Sequence, residues 1–339
     1  MPRLLAIRNA TVGVMDWVSD NTAGAWLRDR IDEPWRGTMH DVSPRGFPAY
    51  ARIFHPGFRD RPVDQPWPPL PYRSHEREWE AFQHSAPEID TENVTWTETA
   101  RAHGTQMHSE AQWQRLVAPG VIVEHEDKPR DSDGWRYSSP MLGELDPGVL
   151  SHLARDLAAH TSIPHDGFVA LWEGWGDLVG HLGVTPSRVF YSVTDDDRHN
   201  EMLARSISSP IDDAFRKPRW QPGILADEVS RGGRLNLPGR DYVLFRGDIS
   251  GFTDANWFEN VPWRDLEAES AGFAPSAHSP SLVWPADHSW ALTSEVDFDS
   301  TILAGSSELI RAVCANPDIE ALPIAEGSSL QWDADEINQ

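Results

Sequence analysis

The sequence predicts an α+β fold: a largely antiparallel or mixed sheet flanked by helices, with long Pro-rich loops in the N-terminal part. Three observations carry that expectation. Apolar, β-branched or aromatic runs of strand length recur, as in Phe168-Val-Ala-Leu-Trp172 and Tyr242-Val-Leu-Phe245, and such runs bounded by turn residues form strands. A few segments show helical periodicity behind a capping residue, the clearest at 146–159. Strands do not alternate strictly with long helices, which argues against a doubly wound sheet.

Taken in order, the first 75 residues are rich in loops, because Pro62, Pro66, Pro68, Pro69 and Pro71 deny that stretch both helix and central strand. Within it Tyr50-Ala-Arg-Ile-Phe54 is strand-like. Ser74 ahead of His75-Glu-Arg-Glu-Trp-Glu-Ala-Phe82 reads as a capped helix, with Glu76 and Glu78 near its positive end. A short helix carrying Trp113, Leu116 and Val117 and a strand at 121–123 follow. Residues 1–339 read as one compact globular unit, and the charged run at 124–134 is where a subdivision would fall. Asp146 suits an N-cap and Pro147 a first helical position, ahead of an apolar face of Leu150, Leu153, Ala154, Leu157 and Ala158. Strands are expected at 168–172, 189–193, 242–245 and from Trp290 to Phe298. A closing helix runs from about Ser306 to Ala315, with Leu309, Ile310, Val313 and Cys314 on one face and Pro317 beyond its end.

Charge limits the partners. With 29 basic residues against 53 acidic ones the net charge is −24. A field of that sign repels phosphate backbones and anionic lipid, so nucleic acid and membrane are poor partners, whereas a cationic protein or small molecule is favoured. No apolar run is long enough for a membrane helix, the apolar start at Leu4 is broken by Arg8 and Asn9, and Cys314 is the single cysteine. A cytoplasmic location is therefore expected. Only two lysines occur, Lys128 and Lys217, and neither follows a glycine or stands in an apolar setting. That removes phosphate-loop, kinase and Schiff-base chemistry.

Two segments carry chemical suggestion. Gly174, Gly176 and Gly180 follow the 168–172 run with the rough spacing of a dinucleotide fingerprint, and Asp195 lies further on. Trp175 between the glycines and the short stretch before Pro186 favour a tight turn instead. The segment Asp287-His288 to Asp299 is the second. On a continuous strand Glu295, Asp297 and Asp299 would share a face, and with Asp287 and His288 they could take a divalent metal. No other cofactor is expected. The closing Asp333-Ala-Asp335-Glu336 lacks the glycine and third oxygen ligand of a calcium loop and reads as an acidic tail. No His-Glu-x-x-His or Gly-x-Ser-x-Gly pattern occurs.

Tryptophan is abundant, with 16 copies. Trp79, Trp113 and Trp290 fall inside expected elements and suit core packing. Trp172 and Trp175 flank a turn and Trp284 precedes Pro285. With Trp290 and His288 they form the expected ligand-binding group, which requires the 284–290 segment to lie beside the 172–176 turn.

Several blocks resemble an uncharacterised family of actinobacterial proteins: Tyr-Ala-Arg-Ile-Phe-His-Pro at 50–56, Trp-Glu-Gly-Trp-Gly at 172–176, Tyr-Val-Leu-Phe-Arg-Gly at 242–247, and Ser-Pro-Ser-Leu-Val-Trp-Pro-Ala-Asp-His-Ser-Trp at 279–290. The resemblance implies a high-GC host and brings no activity with it. Charge, aromatics and the missing catalytic motifs together favour a non-catalytic recognition or regulatory protein. It would bind a cationic partner or small ligand through an acidic, Trp-bearing surface. The alternative is a metal-dependent hydrolase built on 287–299.

Overall fold

The computed structural model describes residues 15–34, 36–121, 127–184, 186–187 and 217–339. The expected strand at 189–193, Asp195 and residues 122–126 lie outside them. Among the described residues, fourteen strands and eight α-helices make an α+β fold with antiparallel sheets.

The strands are β1 (Asp16–Trp17), β2 (Ala49–Phe54), β3 (Gly57–Pro62), β4 (Ile89–Val94), β5 (Arg136–Ser138), β6 (Gly167–Trp172) and β7 (His181–Gly183). They continue with β8 (Arg219–Gln221), β9 (Leu235–Leu237), β10 (Arg240–Gly247), β11 (Leu282–Pro285), β12 (Ala291–Ser294), β13 (Ser300–Gly305) and β14 (Ala321–Ile324). Nine form one sheet in the order β1-β10-β6-β11-β12-β13-β2-β14, with β9 also on β10. A three-stranded sheet, β4-β3-β5, and the β7–β8 pair stand beside it.

Strand periodicity divides the core between the two faces of the large sheet. Val169, Leu171, Val243, Phe245, Val283, Leu292, Leu303, Ala51 and Ile53 point to one face. There they meet Leu150, Leu153 and Leu157 of the Pro147–Ala159 helix and Leu309, Ile310 and Val313 of the Ser307–Ala315 helix. Phe168, Ala170, Tyr242, Leu244, Leu282 and Trp284 point the other way, onto Leu27, Ile31, Leu235 and Leu237. With both faces covered, central strands have no polar side, which is why β6 reads as an unbroken apolar run.

Both well-signalled helices begin behind a side-chain cap, Asp146 as expected and Ser306. Asp146 Oδ1 accepts from the Gly148 and Val149 amides at 2.9 and 3.1 Å. Ser306 Oγ accepts from Leu309 N at 3.1 Å. Ser74 does not act as a cap: Tyr72–Ser74 form a 3₁₀ turn and the helix starts at Glu76 behind His75. The Trp96–His103 helix escaped the sequence reading although Thr95 and Glu98 form a reciprocal capping box.

The expected Trp290–Phe298 strand is corrected. β12 stops at Ser294, the chain turns with Phe298 N donating to Glu295 O at 3.0 Å, and β13 returns with Thr301 opposite Ser294. Glu295, Asp297 and Asp299 therefore sit on a hairpin turn and not along one strand face. The 174–180 glycines lead into the β7 hairpin strand, with no helix to hold a pyrophosphate. The C-terminal acidic segment is also no free tail, because Asp335 is buried and accepts from His108 Nε2, Gln112 N and Asn338 N. No helix among the described residues is long and apolar enough to cross a membrane.

Candidate functional site

The site begins with the turn between β9 and β10. Leu237 pairs with Arg240, leaving Pro238 and Gly239 as the connection. Gly239 has φ +81°, the left-handed conformation a glycine adopts without strain, while proline fixes φ at the position before it. This hairpin delivers Arg240 to the rim of a cleft open to solvent. The β12–β13 turn brings Glu295 and Asp297 to the same rim. Pro34, Val42, Pro238 and Phe298 form apolar walls, and Asp41, Tyr242 and Gln331 complete the lining.

Arg240 Nη2 donates to Asp297 Oδ2 at 2.6 Å and to Glu295 Oε1 in a closer contact. Its guanidinium carbon lies 4.8 Å from the centroid of the Trp172 ring, a cation–π arrangement. Trp172 and Tyr242 are register partners on β6 and β10, so one rung of the sheet positions both. The carboxylates differ in setting: Glu295 is 5% exposed and Asp297 69%. Burial pushes the Glu295 carboxyl upward, and Arg240 partly offsets that by stabilising the charged form. Burial works against the Arg240 charge, but the hydrogen bonds and charges of Glu295 and Asp297 prevail and raise its pKa. Tyr242 is 6% exposed, its phenol is raised first by burial and then by Glu295, and its hydroxyl has no hydrogen-bond partner among the described residues.

The other expected site residues go elsewhere. Trp284 is fully buried, stacked on Phe168 at 5.5 Å and edge-on to Trp26 at 6.4 Å. Trp290 is buried on the opposite face, its Nε1 donating to Leu157 O at 3.0 Å. Neither offers a ring face to a ligand. His288, at φ +54°, stacks on Trp26 at 4.3 Å. The expected meeting of 284–290 with the 172–176 turn does not occur. β11 runs antiparallel to β6 with Pro285 opposite Gly167, which sends the 286–290 turn to the far end of β6 from Trp172.

The acidic residues likewise divide among three places. Asp287 Oδ2 accepts from Thr161 Oγ1 at 2.8 Å and from Ser162 N and Oγ at 3.1 and 2.9 Å. Burial opposes its charge, yet hydrogen bonds from Ser289, Thr161 and Ser162 hold the carboxyl far below the usual range. Asp299 accepts from the buried Arg52 at 3.2 Å, and Glu295 and Asp297 share Arg240. Among the described residues, no group of three or more His, Cys, Asp or Glu is placed to hold a metal ion.

Trp175 belongs to a second cluster, assembled from residues far apart in the chain. It stacks on His278 with centroids 4.6 Å apart and planes 11° from parallel. His278 Nδ1 donates to Glu144 Oε1 and Nε2 to Asp177 Oδ1, both at 2.8 Å. Burial disfavours the imidazolium, but these carboxylates outweigh it and raise its pKa to about 9. With both ring nitrogens donating, His278 has none left to act as a base. His165 is no better placed for a serine relay, because Asp248 and Ser250 both meet the same Nδ1, at 3.1 and 3.2 Å.

Of the residues singled out from the sequence, Trp172, Glu295 and Asp297 lie together at Arg240, whereas Arg240, Tyr242, Asp41 and the His278 clamp carried no expectation. The Pro238-Gly239 pair before an apolar strand was a usable hairpin signal for placing Arg240. Comparison of the chain with protein-family models, with curated proteins and with solved structures yields no match.

Proposed function

We propose that this chain is a non-catalytic recognition protein whose cleft at Arg240 takes a cationic group. The observation that carries the reading is the charge of the lining: among the described residues it holds three carboxylates, Asp41, Glu295 and Asp297, and one guanidinium, Arg240. The cleft therefore has a negative excess set between apolar walls, inside a chain of net charge −24. Apolar lining with a few convergent polar groups of shifted pKa is the composition of a ligand site. The whole-chain field adds to the local one by drawing cations toward the surface.

The test is titration calorimetry at low ionic strength with agmatine and cadaverine, and with glutarate as the anionic counterpart. At least one cation should bind saturably, with affinity reduced several-fold in Asp297→Asn. Loss of a charged hydrogen-bond acceptor at a partly solvated rim typically costs about 1–2 kcal/mol. Binding of glutarate in place of both cations, or of no probe at all, would refute the reading.

A further inference from the structure

The cleft already holds a cation of a particular shape. The Arg240 guanidinium lies over the Trp172 ring, and one nitrogen, Nη2, reaches both Glu295 and Asp297. A flat, delocalised cation stacked on an indole between carboxylates is the arrangement that favours guanidinium over the compact, strongly hydrated ammonium.

Two other guanidinium groups of this molecule are held at more points. Arg52, 1% exposed, is bonded through Nε, Nη1 and Nη2 to Ser300, Ser109, Ala111 and Asp299. Arg234 likewise uses Nε, Nη1 and Nη2, on Glu173 and the 229–233 backbone. Arg240 is bonded among the described residues through Nη2 alone, and Asp297, one of its two partners, is largely exposed. Tyr242, 6% exposed as a residue, lines the same cleft, and no described residue hydrogen-bonds its hydroxyl. Arg240 is therefore held through one nitrogen, shared between nearly buried Glu295 and exposed Asp297.

Resting on the recognition reading of this cleft, we infer that its ligand is a guanidinium, carried by a small molecule or by an arginine side chain, and that Arg240 occupies the site until the ligand displaces it. Displacement exchanges the rim contact at Asp297 and the stacking on Trp172, and the entering group gains the free Tyr242 hydroxyl as an acceptor. An internal occupant lowers the apparent affinity by the fraction of time it fills the site.

Calorimetric titration of agmatine and of cadaverine, a diammonium of similar length, into wild type and Arg240→Ala tests this. Agmatine should bind Arg240→Ala at least about ten-fold tighter than it binds wild type, because the competing occupant is gone. Cadaverine should bind that variant at least about ten-fold more weakly than agmatine does. Should Arg240→Ala fail to fold for want of a charge beside buried Glu295, Arg240→Lys keeps the charge and gives up the planar fork. Its expected gain for agmatine over wild type is several-fold. A blocked Gly-Arg-Gly peptide run in parallel separates the sources: tighter binding than agmatine assigns the arginine side chain, weaker binding a small molecule. Equal affinity of wild type and variants for agmatine, or equal binding of the two cations, overturns the guanidinium inference while cation recognition stands. Absence of binding by both cations to every protein overturns both.

Discussion

Arg240 is anchored by two carboxylates of unequal weight. The exposed contact with Asp297 contributes about 0–1 kcal/mol, as surface pairs do. The contact with Glu295 differs in kind, since Glu295 is 5% exposed and removing Arg240 leaves a nearly buried carboxylate unpaired. Glu295 therefore holds the arginine in place and Asp297 is the group a ligand can share. His278 supplies a second residue-scale prediction. Its folded pKa of about 9 lies above the ordinary value near 6.5. The clamp's contribution is then fully present below about pH 6.5 and is lost as pH rises through about 9. Wild type should lose a few degrees in Tm between pH 7 and 9.5, and His278→Gln should be flat across that window. Side chains add little in that window, because the chain has two lysines and one cysteine, whose thiol burial pushes up to about 11. An identical pH slope in both proteins would show that the clamp carries no charge. Neither cluster was legible in the sequence: Arg240 is 55 residues from Glu295, and His278 lies 134 and 101 residues from Glu144 and Asp177. Spacing along the chain holds no trace of such meetings.

Elements were legible where their determinants are local. The Pro147–Ala159 helix declares itself through Asp146, Pro147 and the leucine face, all within a few turns. Asp146→Ala removes the two cap hydrogen bonds and should cost about 1 kcal/mol, read as a lower urea midpoint with unchanged m-value. An unchanged midpoint would mean that packing of the leucine face alone fixes the helix. The acidic row was misread for the opposite reason. Alternation from Trp290 to Phe298 fits one long strand, but pairing of β12 with β13 places the turn at 295–299. Register between strands is a tertiary property, so a turn without proline or glycine leaves little local signal. The missed Trp96–His103 helix had its capping box in plain view, but only Trp96, Thr99 and Ala100 are buried, so its apolar stripe is too thin to find.

At the scale of the whole molecule, the α+β class followed from the number of strand-length runs and the scarcity of long helices, and the antiparallel sheets agree with it. What composition could not say was where the negative charge gathers against apolar walls. That depended on the Pro238-Gly239 turn and the β12–β13 turn arriving at one end of the sheet, while Trp284, Trp290 and His288 were carried into the core or to the other end of β6. The measurement that tests cation recognition at this cleft most directly is the indole N–H spectrum of the protein, with the Trp172 resonance assigned by Trp172→Phe, during titration with agmatine at low salt. The predicted result is a saturable shift of the Trp172 resonance, with those of buried Trp284 and Trp290 unmoved and the response weakened in Asp297→Asn. A titration that leaves Trp172 unmoved, or that shifts Trp284 or Trp290 in its place, would contradict the account.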